Sequence, residues 1–350
     1  MNGTSNGRVL ITGASGFIGS AAVRAFLKAG FAVRAFVRPA SPRTNLKGLP
    51  IEIAEGDITN GPSVAAALTD VQYLIHAAAD YRLWAKDPSQ IFAVNVTGTK
   101  TVLEAALKSG VEKIVYTSSV CTLAQPPHEK AADETLSLAP EQAFNAYKKS
   151  KTLAEQAVRD LICAAGLPAV IVNPSAPIGP RDIKPTPTGR IILESAAGRM
   201  PAYVDTGLNL VHVDDVAMGH VLALQSGVPG ERYILGGQNI RLKDMLTEIA
   251  RQTGRRPPRV RLPVAAVLPF AVASEAFAWV TGVTPFATRD SLKMARDFMY
   301  FKDTKARKEL GYRSRPYEEG VSDAIAWFRN EGMLPQKTVS FARRFNALRH

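Results

Sequence analysis

The sequence predicts an α/β protein, with a doubly wound parallel sheet and a smaller, mostly helical lobe toward the C-terminus. Short runs of β-branched residues alternate with helix-length segments through the first half, which is the pattern of consecutive βαβ units. A glycine-rich turn follows the first run, and a proline-rich stretch after residue 180 precedes a largely helical remainder. With 350 residues, the chain is long enough to bury a large core in this architecture.

Six β-branched runs are the predicted strands of the sheet. They cover residues 9–12, 32–37, 51–54, 73–76, 113–117 and 169–172. The segment between the first two runs predicts a helix over residues 15–29, which Gly30 would end as a C-terminal cap. Because segments of this length join the runs, we expect the strands to be parallel.

The domain boundaries follow from a change of pattern near the middle of the chain. Residues 1–180 are predicted to form the sheet domain, to which residues 208–228 return. The smaller lobe is assigned to residues 181–207 and 229–335, and a basic tail to residues 336–350. Ligands of open α/β sheets bind at the carboxyl ends of the strands, so we expect the lobe to cover a binding cleft there.

The composition is that of a soluble globular protein, with 46% hydrophobic and 21% charged residues. Its two cysteines, Cys121 and Cys163, exclude a disulfide framework and a cysteine metal cluster, which fits a reducing compartment. The polar N-terminal segment lacks the apolar stretch of a signal peptide, so we expect a cytoplasmic protein.

Positive charge is concentrated in the last third of the chain. The net charge is +12, and residues 241–350 hold 21 basic against 11 acidic side chains. This asymmetry is typical of contact with an anionic partner such as phosphate or a membrane surface, although a solvated basic face has the same signature. Net charge alone does not predict nucleic-acid binding, and we expect none.

The first predicted strand is followed by Thr12-Gly13-Ala14-Ser15-Gly16-Phe17-Ile18-Gly19, a G-x-x-G-x-x-G turn that opens a helix. Such glycines allow a tight turn, and the helix N-terminus offers unpaired N–H groups to a pyrophosphate. Its place inside a βαβ unit distinguishes it from an ordinary strand-to-helix turn. We therefore predict a Rossmann-type dinucleotide site. The predicted phosphate contacts are Gly13, Ser15, Gly16, Phe17, Ile18 and Gly19.

Arg38 stands at the end of the second predicted strand, where an NAD site has an acidic residue for the ribose hydroxyls. A guanidinium there can pair with a 2′-phosphate, so the sequence favours NADP(H), with NAD(H) as the alternative. The other interpretation of Arg38 is a solvated strand-end charge. Asp57 follows the third strand and is expected to accept a hydrogen bond from the adenine amino group, with Ile58 beside it.

Tyr147 and Lys151 are predicted on one face of a helix that runs to about residue 165. An ammonium beside a phenol favours the phenolate, so we expect the pKa of Tyr147 to fall toward neutrality. Ser119 follows the fifth strand, at the strand end where substrate and cofactor should meet, and Ser118 is the competing choice. Together these residues predict acid–base chemistry on a reacting oxygen.

Four motifs occur in the order typical of one family. They are T-G-A-S-G-F-I-G at 12–19, H-A-A-A at 76–79, T-S-S at 117–119 and Y-K-K-S-K at 147–151. From about residue 8 to residue 330, the chain resembles the extended short-chain dehydrogenases/reductases.

This resemblance implies a catalytic set of Ser119, Tyr147 and Lys151. Lys151 would also bind the nicotinamide ribose, and Asn95 would support an internal water or the main chain. The cofactor contacts that it implies besides Tyr147 and Lys151 are Ala77, Ala78, Ala79, Pro174 and Ser175. A homodimer through helices that flank the active-site helix is a further expectation.

Two branches of this family compete. Residues 173–180 look like the N-P-x-x-x-x-G-P segment of dihydroflavonol reductase-like enzymes. Nucleotide-sugar epimerases commonly have an asparagine at the position of Ala176, which weakens the case for a nucleotide-sugar substrate. Residues 79–85, 179–190 and 200–215 resemble the hopanoid-associated sugar epimerase family, which implies a lipid context rather than a particular reaction.

Candidate substrate contacts besides Ser119 are Tyr81, Trp84, Arg181 and His212. Tyr81 and Trp84 follow the fourth strand, where packing against the second lobe is the alternative. Arg181 could bind an anionic or hydroxyl-rich substrate or be a surface charge. His212 has no second His or Cys at ligand spacing, so it is read as structural or substrate-lining, and no metal site is expected.

Residues 262–280 form the longest apolar stretch, and they contain Pro269 and Glu275. The arginines of residues 255–261 precede this stretch. An apolar helix beside basic groups can rest on the anionic inner face of a membrane, as a peripheral contact that would suit a lipid-linked substrate. The alternative is a core or dimer-interface helix.

The sequence therefore predicts an NADP-dependent enzyme that reduces a ketone or oxidises an alcohol by hydride transfer, in hopanoid or related lipid metabolism. A sugar epimerase that oxidises its substrate transiently and recycles the cofactor would use the same residues. A cofactor-sensing protein that keeps the fold without catalysis is the third hypothesis.

Overall fold

The computed structural model describes residues 6–282, 285 and 287–335. The strands in these residues are β1 (Arg8–Thr12), β2 (Ala32–Val37), β3 (Glu52–Glu55), β4 (Tyr73–His76), β5 (Lys113–Thr117), β6 (Ala169–Pro174), β7 (Ala176–Ile178), β8 (Ala202–Tyr203), β9 (Gly207–His212), β10 (Arg232–Leu235), β11 (Gln238–Arg241) and β12 (Val260–Arg261). The helices are α1 (Phe17–Lys28), α2 (Gly61–Ala67), α3 (Ser89–Phe92), α4 (Thr99–Lys108), α5 (Ala146–Ala165), α6 (Pro187–Ala196), α7 (Val213–Ser226), α8 (Leu242–Thr253), α9 (Val264–Thr281), α10 (Arg289–Met294), α11 (Thr304–Leu310) and α12 (Tyr317–Asn330).

Seven strands form one parallel sheet, in the order β10-β6-β5-β4-β1-β2-β3. β1 lies inside the sheet, and its Val9 pairs with Val33 of β2 on one side and with Tyr73 of β4 on the other. The chain therefore builds outward from β1 in both directions, which is the doubly wound arrangement. All six predicted strands are in this sheet, so the predicted fold class is confirmed.

Helices cover both faces of the sheet because its strands are apolar on both sides. Val9 and Ile11 of β1 point into a core formed with α1 and α7, where Phe26 and Val216 are buried. Leu10 points to the opposite face and packs in a second core with α2, α4 and α5. The short apolar runs that predict strands are thus explained by burial on two faces.

The smaller lobe has its own core. β7, β9 and β11 form a three-stranded sheet, which packs with α6, α8 and α12. The largest buried side chains of this core include Leu246, Ile249 and Phe328. Because β7 directly follows β6, the lobe sits at the carboxyl edge of the main sheet.

Two details of the predicted domain division are wrong. Residues 208–212, predicted to return to the main sheet, lie in β9 and pair with β7 and β11 in the lobe, so only α7 returns. Residues 232–235, assigned to the lobe within 229–335, form β10 and pair parallel with β6 at the edge of the main sheet. Their apolar side chains Tyr233 and Leu235 are fully buried there, which explains their position. The basic tail at 336–350 lies outside the described residues.

Helix α9 is the one helix of the described residues that is long and apolar enough to cross a membrane. Only Ala271 and Ala278 of this helix are buried, whereas Phe277 and Trp279 are 63% and 60% exposed. The expectation of a core helix over this segment is therefore wrong, because most of its apolar surface faces outward.

We expect Leu235→Ala to lower the free energy of unfolding by about 2–5 kcal/mol, because a fully buried leucine leaves a cavity in the main sheet's core. Unfolding in urea would measure this loss. The matched control is Val228→Ala in the preceding loop, where the side chain is 53% exposed and the change should stay within about 0.5 kcal/mol. Equal losses in the two variants would contradict the burial of β10 in the core of the main sheet.

Candidate functional site

A cavity of about 940 Å³ lies between the carboxyl edge of the main sheet and the smaller lobe. Nearly all predicted site residues line it. These are Gly13, Ser15, Gly16, Phe17, Ile18, Gly19, Arg38, Asp57, Ile58, Ala77, Ala78, Ala79, Tyr81, Ser119, Tyr147, Lys151, Pro174, Ser175 and Arg181. Trp84 and His212 are not among the lining residues.

The glycine-rich loop is packed so closely that side chains would not fit at two of its positions. Gly13 has φ +66°, and a Cβ there would lie 2.7 Å from the Cα of Ala78. A Cβ on Gly19 would lie 2.1 Å from the carbonyl oxygen of Gly13. The loop leads into α1, whose first residues Phe17 and Ile18 line the cavity beside the N-cap Gly16 and present the N–H groups of the first helical turn to it.

A buried histidine holds this loop against the end of β4. His76 Nδ1 lies 2.7 Å from Thr12 Oγ1, and its Nε2 lies 3.1 Å from Thr99 Oγ1. Thr12 Oγ1 also accepts a hydrogen bond from the N–H of Ala78. Burial lowers the pKa of His76 to about 3, so the imidazole is neutral at physiological pH. His76 therefore acts as a structural link between the loop and β4.

Arg38 and Asp57 face the cavity together at the ends of β2 and β3. Asp57 Oδ1 accepts hydrogen bonds from the hydroxyl and N–H of Thr59, which together with the nearby Arg38 lower its pKa. Ser41 also lines this end of the cavity, in a turn closed by its N–H and the carbonyl of Arg38. Sequence reasoning missed Ser41, although a hydroxyl three residues after an arginine in a proline-containing turn was a usable signal.

Tyr147 and Lys151 lie one turn apart at the start of α5, as predicted. The helix begins where the Asn145 side chain accepts a hydrogen bond from the N–H of Lys148 at 2.8 Å. Ser119 lies close to the Tyr147 side chain, and its Oγ accepts a hydrogen bond from the N–H of Cys121 at 3.2 Å. Lys151 Nζ donates to the carbonyl of Thr117 at 2.8 Å, so β5 and α5 are joined directly behind the Ser119–Tyr147 pair.

The expected fall in the pKa of Tyr147 is wrong. Burial raises the pKa of its phenol above the usual value, and the ammonium of Lys151 is directed to Thr117 instead. Burial also lowers the pKa of Lys151 to about 8. Near neutral pH, the site therefore holds a protonated phenol beside a mostly charged ammonium, which is the state of a proton donor.

Ser118 and Ser119, which the sequence leaves as competitors, have different surroundings. Ser118 Oγ donates to Glu155 Oε2 at 2.5 Å and is buried, whereas Ser119 is near Tyr147. Glu155 also pairs with the buried Arg232 at 3.0 Å. Sequence reasoning missed both Glu155 and Arg232, although Glu155 continues the spacing of four from Tyr147 and Lys151.

Asn95 supports the main chain, which is one of the two roles that the family resemblance implied. Its Oδ1 accepts from the N–H of Asp80 at 2.7 Å, and its Nδ2 donates to the carbonyl of Asp80 at 2.9 Å. The same amide donates to Ser150 Oγ on α5. Asn95 therefore fixes the start of the segment that carries Tyr81.

Tyr81 closes part of the cavity, because its hydroxyl donates to the carbonyl of Lys184 at 3.0 Å and so joins the two lobes. Trp84 comes three residues after Tyr81 in the sequence and does not line the cavity, so its predicted substrate role is not supported. The contacts of His212 agree with the structural role, which is one of the two roles that the sequence left open. Its buried imidazole caps α7 through the N–H of Asp214 and faces Asp323 at 3.2 Å.

Arg181 reaches the cavity at its phosphate-loop end rather than beside Ser119. Its carbonyl accepts from Asn45 Nδ2 at 3.0 Å, and the same amide lies 3.5 Å from the carbonyl of Ser15. Its guanidinium pairs with Asp214. Arg181 therefore lines the cavity beside the glycine-rich loop, and its contact with the substrate stays a prediction.

The wall of the cavity opposite the glycine-rich loop is mostly apolar, and the sequence did not identify it. Its apolar lining comes from both lobes: Leu83, Ile183, Ile191, Val204, Leu208, Leu242, Leu292, Met294, Met299 and Phe301. Polar side chains also line this part of the cavity: Asp182, Lys184, Thr186, Thr188, Thr206, Asn209, Ser291 and Asp297. Among them, Asp182 is buried, which raises its pKa to about 6, and it accepts hydrogen bonds from Thr186.

The residues that line the polar half fit a nicotinamide dinucleotide. The glycine cradle leaves no room for side chains, and the hydroxyl of Ser175 is buried in the cavity wall without a hydrogen-bond partner among the described residues. An unpartnered buried hydroxyl is costly unless a ligand satisfies it. No group of His, Cys, Asp or Glu in the described residues is arranged to hold a metal ion.

Comparison with known proteins agrees with this geometry. The model of the NAD dependent epimerase/dehydratase family matches residues 9–236. A protein of Synechocystis sp. named "Putative dihydroflavonol 4-reductase" is 43% identical over 330 residues, covering 93% of this chain and 95% of the relative. "Sterol demethylase protein B" of Methylococcus capsulatus is 33% identical over 329 residues, covering 93% and 99%.

Among solved structures, the crystal structure of gox2253 matches with a TM-score of 0.85 and 50% identity, over 94% of this chain and 100% of that one. The family resemblance found in the motifs is therefore confirmed. The chain belongs to the NAD-dependent epimerase/dehydratase family of extended short-chain dehydrogenases/reductases and is an NAD(P)-dependent enzyme.

Proposed function

We propose that the protein is an NADP-dependent reductase, or alcohol dehydrogenase in the reverse direction, that acts on an apolar, lipid-like substrate. The observation that carries this proposal is that Ser119, Tyr147 and Lys151 line one cavity together with apolar side chains from both lobes. The chemistry that a bound nicotinamide supplies is the transfer of a hydride to or from a carbon atom.

The chain's own residues handle the oxygen of the substrate. Ser119 Oγ and Tyr147 Oη would both hydrogen-bond the carbonyl oxygen, and Tyr147 would give it a proton during reduction. Burial keeps Tyr147 protonated at neutral pH, which favours this direction. Lys151 would place its positive charge behind Tyr147, stabilise the phenolate left after proton transfer, and hold the nicotinamide ribose.

The cofactor would be held by the glycine-rich loop, by Ala77 to Ala79 and by Pro174 and Ser175. Arg38 supports a preference for NADP(H), because it faces the cavity where a 2′-phosphate would lie and Ser41 adds a hydroxyl beside it. Asp57 would accept a hydrogen bond from adenine.

The apolar wall supports a lipid substrate, with a hopanoid or another polycyclic lipid as the class we favour. Ala176 lines the cavity with a methyl group, at the position where nucleotide-sugar epimerases commonly have an amide. The relative in Methylococcus is named for sterol demethylation, which agrees with a polycyclic substrate. The epimerase hypothesis remains the second candidate, because the family model that matches includes epimerases.

We also propose that the enzyme is cytoplasmic and makes peripheral contact with a membrane, because a lipid substrate would lie in that membrane. A homodimer through the helices flanking α5 is also part of the proposal. Sedimentation of the purified protein would measure its oligomeric state.

We expect the enzyme to oxidise NADPH over many turnovers when a polycyclic ketone is supplied. Tyr147→Phe should lower kcat by about 100- to 10,000-fold, because it removes the proton donor, with an unchanged Kd for NADPH. NADPH oxidation and cofactor titration would be measured side by side. Tight, co-purifying cofactor without net oxidation would favour an epimerase, and binding without turnover on any substrate would favour a sensing protein.

Arg38→Ala is expected to weaken NADPH binding by about 10- to 100-fold and to leave NADH binding nearly unchanged, because only NADPH has the 2′-phosphate. Fluorescence titration with both cofactors would measure this difference. Lys47→Ala is the matched control, since it removes an exposed charge outside the cavity. Equal loss of NADH and NADPH binding in Arg38→Ala would contradict the role of Arg38.

The value of kcat/KM for reduction is expected to fall as the pH rises through about 8. Burial lowers the pKa of Lys151 to about 8, so its positive charge is present below that pH and lost above it. Tyr147 stays protonated over this range because its pKa is raised. Rates from pH 6 to pH 10 would show the fall, and Lys151→Arg, which stays charged, should abolish it even if it is slower. A profile that is flat to about pH 10 would contradict this assignment.

A further inference from the structure

We propose that α9 and the arginines of residues 255–261 dock the enzyme on an anionic membrane surface, beside the entrance to the cavity. This surface, called here the docking surface, consists of the exposed face of α9 and the four arginines Arg255, Arg256, Arg259 and Arg261. The inference that this surface binds lipid is independent of the reaction.

The exposed face of α9 is apolar from residue 265 to residue 280. Leu268, Phe270, Val272, Phe277, Trp279 and Val280 are between 41% and 87% exposed, and the other exposed positions from 265 to 280 are alanines and a proline. The single charged residue of the helix, Glu275, has a mostly buried side chain that pairs with Arg289 at 2.8 Å. A continuous exposed apolar patch of this kind marks an interaction site.

Positive charge lies beside this apolar face. All four arginines of the docking surface are exposed, and no carboxylate of the described residues pairs with Arg255, Arg256 or Arg259. Residues 260–261 form β12, which pairs with β8 and so fixes the segment to the lobe. Lys86 also lies over the ring of Trp279, 4.8 Å from its centre. Apolar residues flanked by basic groups are the pattern of an interfacial membrane helix.

The charge favours lipid over a second copy of the chain as the occupant. The docking surface has four arginines, of which Arg261 alone pairs with a carboxylate of the described residues, so two such surfaces would repel each other. Anionic lipid head groups have the complementary charge. Ala271 and Ala278 are buried against the protein and Glu275 is bound to Arg289, so α9 is held on the surface rather than inserted across the bilayer.

The docking surface is next to the cavity. α9 packs against α10, and Leu292 and Met294 of α10 line the apolar wall of the cavity. An apolar molecule leaving the bilayer at this surface would meet that wall first. This entry route rests on the proposed function, whereas membrane binding itself does not.

The test is flotation of the purified full-length protein with vesicles of phosphatidylcholine alone or mixed with phosphatidylglycerol. We expect binding only to the anionic vesicles at an ionic strength of about 0.1 M, with most of it lost at about 1 M. Phe277→Glu/Trp279→Glu should lower the bound fraction at least tenfold, because both side chains leave the apolar face. The matched control, Ile53→Glu/Val228→Glu, alters two similarly exposed apolar residues elsewhere and should bind as the wild type does.

A second pair of variants separates specific contact from net charge. Arg256→Glu/Arg259→Glu should weaken binding by about tenfold or more, whereas Lys308→Glu/Arg313→Glu, with the same change of net charge, should not. NADPH binding and thermal unfolding of each variant show that it is folded. If the wild type binds anionic vesicles but reduces no ketone, the membrane-docking proposal holds and only the proposed function is contradicted.

Three results would overturn the proposal. The first is that the wild type does not bind anionic vesicles. The second is that all four variants bind equally. The third is that Phe277→Glu/Trp279→Glu converts a dimer to a monomer while the wild type does not bind vesicles. The last result would assign the surface to a second copy of the chain.

Discussion

The buried carboxylate of Glu155 is the interaction on which the geometry of the site depends. It accepts hydrogen bonds from Ser118, Thr122 and Asn173 at 2.5, 2.8 and 3.0 Å, and it pairs with Arg232. Burial alone would raise its pKa, but Arg232 and these donors lower it, so the group is charged at neutral pH. Because its partners come from β6, β10 and the loop after β5, one charge holds three segments together.

That network fixes the position of Ser119 although Glu155 does not touch it. Asn173 Nδ2 donates to the carbonyl of Ser119 at 3.0 Å, and Thr122 Oγ1 donates to the same carbonyl at 2.8 Å. Both side chains also form hydrogen bonds with Glu155. These contacts fix the main chain of Ser119, while its hydroxyl lies near Tyr147. Helix α5 therefore carries Tyr147, the proposed proton donor, and two turns later Glu155, whose contacts position Ser119. A buried pair of this kind imposes geometry more than it adds stability.

What the sequence could predict was local, and what it missed depends on distant contacts. Strands such as β1 and the loop at Gly13 to Gly19 were predictable because strand periodicity and turn geometry depend on neighbouring residues. The Glu155–Arg232 pair joins residues 77 positions apart, and β10 belongs to the main sheet because of its pairing with β6. The error at Tyr147 has the same origin, since Lys151 donates to Thr117 on β5, and spacing along one helix does not show that contact.

The two halves of the cavity differ in how they are built, and this difference determines where specificity lies. Main-chain groups and short side chains of the main sheet line the polar half, and the close approach of Gly13 to Ala78 leaves it little freedom. The apolar half takes Leu208, Leu242 and Leu292 from three separate segments of the smaller lobe. Apolar walls discriminate weakly between molecules that differ by one methylene. In the proposed reaction, selectivity would therefore depend on the shape of the apolar wall and on where the substrate enters, whereas Ser119 and Tyr147 would require only an oxygen atom within hydrogen-bond distance.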